Sequence, residues 1–133
     1  MPFLGGKTVY LFSEVSGRLT QDGIPASNRQ VFRRVEHNGE TVEDRVATDH
    51  DGGFVLPAIT REDRSLLPRE FLARQKIWLK EGAEEILLWE TIKRSEEENA
   101  ELEKLPFELT CELSEPLRFE HLMLHSIETR CRW

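Results

Sequence analysis

With 133 residues, an apolar fraction of 38% and a net charge of −7 from 25 acidic and 18 basic side chains, the chain is sized for one domain spanning 1–133. Charged residues make up 32%, which suits a globular fold with a solvated surface rather than a disordered chain, and the acidic balance supplies no concentrated positive face for a phosphate backbone. No stretch approaches the roughly 20 apolar residues that cross a bilayer.

The N-terminus, Met1 to Lys7, has no basic region followed by an apolar run, so no signal peptide is expected and the cytoplasm is the default compartment. Thr8–Phe12 then reads as a strand, followed by Val15–Thr20 and a turn at Gln21–Pro25 whose Asp22-Gly23 is a hairpin signal. Arg29–Glu36 is the next strand. Its arginines at 29, 33 and 34 divide between two faces by period two. Asn38-Gly39 turns the chain back into Thr41–Thr48, and Asp49 to Gly53 leads into Phe54–Pro57.

Arg61 to Leu72, interrupted by Pro68, reads as a loop with one helical turn. Arg74–Lys80 and Glu85–Ile92 flank a Glu81-Gly82-Ala83-Glu84 turn and form a hairpin. Ser95-Glu96-Glu97-Glu98 has the form of a capping box opening one short helix to about Leu102. Period two returns with Phe107, Leu109, Cys111 and Leu113 on one face, and Pro116 separates this strand from a last one, Arg118 to about Thr129. The expected fold is all-β: an antiparallel β-sandwich of about seven to eight strands with one short helix.

Two segments carry a family pattern. Ser16-Gly17-Arg18-Leu19-Thr20-Gln21-Asp22-Gly23-Ile24-Pro25-Ala26 resembles the opening of transthyretin-like, carboxypeptidase-regulatory-like domains. Thr48-Asp49-His50-Asp51-Gly52-Gly53-Phe54-Val55-Leu56-Pro57 is similar to their T-D-x-D-G-x-F turn. The resemblance covers about 14–59 and implies a transthyretin-like sandwich. The remaining layout, including Asn99-Ala100-Glu101-Leu102 and Leu109-Thr110-Cys111-Glu112-Leu113, is similar to a group of uncharacterised bacterial proteins. The hydroxyisourate hydrolases within the resembled family use an early histidine, an arginine after the Asp-Gly turn and a Tyr-Arg-Gly-Ser terminus. Here the first histidine is His37, Gly53 follows the turn, and Arg130-Cys131-Arg132-Trp133 comes last. That chemistry is not expected.

No other catalytic set assembles from the sequence, and no cofactor is expected. Asp49-His50-Asp51-Gly52 reads as a structural turn, since the further oxygen ligands of a calcium loop are missing. On an extended chain His121 and His125 would stand about 13 Å apart, too far to share one ion, so no metal ligand is assigned. Cys111 and Cys131 read as buried, reduced thiols, although nothing local decides whether they pair. The candidate interface residues are Trp78, Trp89, Arg130, Arg132 and Trp133, because tryptophan and arginine dominate binding hot spots. Together these readings point to a non-catalytic protein-binding module, in its sharper form an immunity or adaptor protein for a secreted bacterial toxin, with neither nucleic acid nor membrane as partner. The alternatives are a carbohydrate- or small-ligand-binding accessory domain built on Trp78 and Trp89, or a homo-oligomeric structural protein. The oligomeric state is left open.

Overall fold

The computed structural model describes residues 6–65 and 69–133. Its strands are β1 Lys7–Phe12, β2 Val15–Gln21, β3 Ile24–Pro25, β4 Gln30–His37, β5 Glu40–Ala47, β6 Gly53–Leu56, β7 Ile59–Asp63, β8 Ala73–Glu81, β9 Glu84–Lys93, β10 Glu108–Glu112, β11 Arg118–His121, β12 Ser126–Thr129 and β13 Cys131–Arg132. A six-stranded sheet runs β11-β12-β9-β8-β4-β5. A five-stranded sheet runs β13-β10-β2-β3, with β6 also on β2, and β1 pairs with β7. The described pairings are antiparallel except β2 with β10, which is parallel.

One continuous core lies between the sheets. Val15, Leu19, Phe54, Leu56, Leu109 and Cys111 meet Val31, Val35, Ile77, Leu79, Leu88, Trp89 and Ile127 there, and Val9, Leu11 and Phe12 of β1 join them. The all-β sandwich follows from strands whose alternate residues are apolar.

Local chemistry sets the turns. Asp22 and Gly23 take φ of 53° and 80°, and Asn38 and Gly39 take 49° and 77°, the positive values that a two-residue hairpin needs. At Gly52, φ is +79° and a Cβ would stand 2.2 Å from the Leu19 carbonyl oxygen. Only glycine lets the Asp49–Gly53 turn press on β2, where Leu19 N donates to Gly52 O at 2.8 Å.

Four expectations are corrected. Ile59–Asp63 is a strand paired with β1; of the helical turn expected in that region, residues 66–68 lie outside those described. Arg118 to Thr129 is a hairpin, not one strand, because the chain reverses at 122–125. The expected helix is a single 3-10 turn, Ala100–Leu102. Its preceding residue, Asn99, takes left-handed backbone angles and makes no side-chain cap, while Ser95 Oγ accepts from Glu97 N at 3.3 Å ahead of that turn. Finally, Cys111 and Cys131 are bridged: they stand directly opposite each other in β10 and β13, a juxtaposition set by strand order and invisible to local pattern.

Candidate functional site

The outward face of the six-stranded sheet carries the first candidate cluster. In β4 and β8 the odd-numbered residues turn inward and the even-numbered ones outward, so Trp78 faces away from the core. It is nonetheless only 4% exposed. Phe32 stacks on it at 5.7 Å, and the Arg34 and Lys76 cations lie 5.3 Å and 4.9 Å from its ring centre. Its indole N–H is the one buried side-chain polar atom without a hydrogen-bond partner among the described residues. Arg45 and Lys80 flank Phe32 at 5.9 Å and 5.0 Å. Beside this cluster a groove of ≈ 440 Å³ runs toward Glu90, Ile92, Ser126, Glu128 and Phe119, the last of them 64% exposed.

Trp89 does not reach that surface. A bulge in β9, where Ile77 pairs with Trp89 but Trp78 pairs with Leu87, sends both Leu88 and Trp89 inward at 0% exposure. Trp89 packs on Phe107 at 4.8 Å. With one tryptophan in the core and the other roofed by cations, the flat platform expected of a sugar-binding pair is not formed.

The C-terminal candidates divide as well. Arg130 is structural: its Nε donates to Leu87 O at 2.6 Å and its Nη1 to Glu115 O at 2.9 Å, and burial lowers its pKa. Arg132 extends into solvent near Glu115 at 3.5 Å. Trp133 is 43% exposed, with its edge against Trp89 at 6.2 Å and the Arg118 guanidinium 5.8 Å away.

Sequence reading missed the tip of the β11–β12 hairpin. Met123 and Leu124 are 90% and 61% exposed, and the tip is fixed rather than loose. Met123 N donates to Glu103 Oε2 at 3.0 Å, and His125 Nε2 donates to Glu101 O at 3.0 Å. His121 instead bonds Ser126 Oγ at 2.8 Å, so the two histidines serve different contacts.

The most enzyme-like constellation is sealed in the core. Lys93 Nζ donates to Tyr10 O at 2.8 Å, lies 3.4 Å from Ser13 Oγ, and stands 3.5 Å from Glu101 Oε1. Glu101 accepts from Ser13 N, Ser13 Oγ and Gln75 Nε2 at 2.8, 2.7 and 2.8 Å. Burial lowers the Lys93 pKa, with Glu101 opposing the shift. A serine beside a lysine of lowered pKa is a nucleophile pattern, yet Ser13, Lys93 and Glu101 are all 0% exposed and no substrate reaches them. Their arrangement ties β1 to the sheet and to the 3-10 turn. Arg33 plays a similar part, gripping Asp44 through Nε and Nη2 at 2.9 and 2.5 Å and Pro57 O at 2.6 Å.

Two carboxylates organise turns. Asp49 Oδ1 accepts from Asp51 N and Gly53 N, both at 2.8 Å, and these backbone bonds lower its pKa. The ligand atoms of Asp49, His50 and Asp51 lie within 4.8 Å of one another but are exposed, and Asp49 is already engaged by its turn. Glu112 accepts from the backbone N–H groups of Asp22, Gly23 and Ser114 and from the hydroxyls of Thr20 and Ser114. Those bonds hold its carboxyl far below the usual carboxylate range.

No helix among the described residues is long and apolar enough to cross a membrane. No curated protein and no solved structure matches the chain. Residues 15–116, running from β2 through β10 to the bend before β11, match a domain of unknown function, DUF6795. That match takes in most of both sheets, and the chain belongs to the DUF6795 family.

Proposed function

We propose that this protein is a non-catalytic protein-binding module, in its sharper form an immunity or adaptor protein that occupies a secreted bacterial toxin. The observation that carries the reading is the hairpin tip, where Met123 and Leu124 stand at 90% and 61% exposure on a turn held by Met123 N to the Glu103 carboxylate and by the His125 ring to Glu101 O. Adaptable side chains on a fixed support suit docking. The acidic balance of −7 favours a basic partner. Burial of Ser13, Lys93 and Glu101 removes the strongest candidate for chemistry. Kinship with transthyretin-like domains is part of the proposal, supported by the Asp49–Gly53 turn locked on β2.

The test is native co-purification from the source organism, with the Met123→Glu/Leu124→Glu variant in parallel. One stoichiometric protein with the wild type, lost with the variant, supports the module. An empty eluate, or a partner retained equally by both, refutes this docking tip. The cytoplasm expected from the sequence stands against the bridge of Cys111 to Cys131, since disulfides are rare in the cytosol. Alkylation of freshly lysed material decides the compartment: free thiols keep the cytoplasm, whereas the bridge of Cys111 to Cys131 moves it to an oxidising one.

A further inference from the structure

One row of outward side chains crosses all six strands of the larger sheet. From β5 to β11 it reads Glu43, Arg34, Lys76, Glu90, Glu128, Phe119, each opposite the next. Like charges therefore face each other twice, Arg34 with Lys76 and Glu90 with Glu128, an arrangement that destabilises a lone sheet. The cations find relief within the chain: Arg34 approaches Glu36 and Glu43 at 3.5 and 3.3 Å, and Lys76 meets Glu85 at 2.8 Å. Glu90 and Glu128 make no ion pair among the described residues.

We propose that a second copy of this chain covers the face, packed about a two-fold axis running along the strands between β8 and β9. Between Arg34 and Glu128 the row changes sign once, at the centre of the sheet. A two-fold axis there reverses the row, setting Lys76 over Glu90 of the partner subunit and Arg34 over Glu128 of the partner subunit. Symmetry repeats both contacts, giving four ion pairs from one self-complementary patch. The flanking row in which Arg74 is opposite Ile92 brings the Arg74 stem over the partner's Ile92. A face six strands wide and about six residues long offers roughly 600 Å² a side at ~4.8 Å per strand and ~3.3 Å per residue. That is the low end for a specific complex and fits a reversible dimer.

Sedimentation equilibrium from micromolar to millimolar concentration tests this on the full chain. The wild type should dimerise reversibly, and more weakly as salt rises. Glu90→Lys/Glu128→Lys makes the four positions from Arg34 to Glu128 wholly positive, and Arg34→Glu/Lys76→Glu makes them wholly negative. Each variant alone should dimerise at least roughly 100-fold more weakly. Mixed one to one, the two should form a heterodimer, which a merely structural role for these side chains would not produce. Circular dichroism checks their folding. If a reversal variant does not fold, Glu90→Gln/Glu128→Gln replaces it and should weaken the dimer about tenfold. A wild type that stays monomeric at millimolar concentration, charge variants that dimerise like the wild type, or a mixture that fails to pair overturns the proposal.

Discussion

Replacing Glu101 with alanine strikes the buried polar junction at its centre. The carboxylate accepts three hydrogen bonds, from Ser13 N, Ser13 Oγ and Gln75 Nε2, and is the only carboxylate within ion-pair distance of Lys93 among the described residues. Alanine leaves an ammonium at 0% exposure without a counter-charge and takes the acceptor from three donors. Breaking such a pair from one side costs about 4 kcal/mol, a large share of the ~5–15 kcal/mol that holds a domain together. At roughly 4 °C per kcal/mol, the melting temperature should fall by about 15 °C. Urea denaturation followed by tryptophan fluorescence suits the measurement, since Trp89 Nε1 donates to Gln75 Oε1 at 3.2 Å inside the same network. Glu101→Leu/Lys93→Met removes both charges and should be more stable than either single variant. A loss under about 1 kcal/mol for Glu101→Ala, or a double variant that loses the sum of the singles, refutes the reasoning.

Four further outcomes are expected. The Lys93 pKa lies below 10.5 in the folded chain, so between that lowered value and 10.5 the unfolded chain holds more protons and stability rises with pH; Lys93→Met should abolish this rise when urea midpoints are compared across the alkaline range. For Glu112 the folded pKa is depressed below 4.5; its contribution is present above pH 4.5 and lost in acid, and midpoints of wild type and Glu112→Gln should converge as pH falls. Cys111→Ala/Cys131→Ala opens a link of sequence separation 20 and should lose about 3 kcal/mol by calorimetry. Gly52→Ala forces a Cβ to within 2.2 Å of Leu19 O at φ +79° and should lose at least about 2 kcal/mol, with the largest loss of hydrogen-exchange protection along β2.

Elements whose signal is local were legible in the chain. Asp22-Gly23 and Asn38-Gly39 announce their turns because both residues of each pair take positive φ, and the face of Leu109, Cys111 and Leu113 reads directly from period two. What escaped depends on distant partners. Ile59–Asp63 lacks alternation and becomes a strand by pairing with β1. The reversal at 122–125 contains no glycine, proline or asparagine to mark it, so β11 and β12 read as one run. Arg33, Lys93 and Glu101 look like solvated charges in sequence, and only tertiary structure reveals them as buried. Among the candidate interface residues Trp89 lies in the core because a bulge, which no residue type advertises, rotates it inward. Arg130 is engaged by the carbonyls of Leu87 and Glu115, partners far away in sequence. Met123 and Leu124 could have been found as adjacent apolar residues between two short polar-flanked strands.

The parallel pairing of β2 with β10 bears on how the molecule is made. Thr20 and Glu112, bonded across that seam, are 92 residues apart, so on a ribosome adding 5–20 residues per second β2 emerges roughly 5–20 s before its neighbour exists. During that interval β6 and β3 can occupy one edge of β2, while the other offers unpaired backbone groups beside Val15 and Leu19. Synthesis thus exposes a sticky seam for seconds, and the nascent chain is the form most in need of a chaperone.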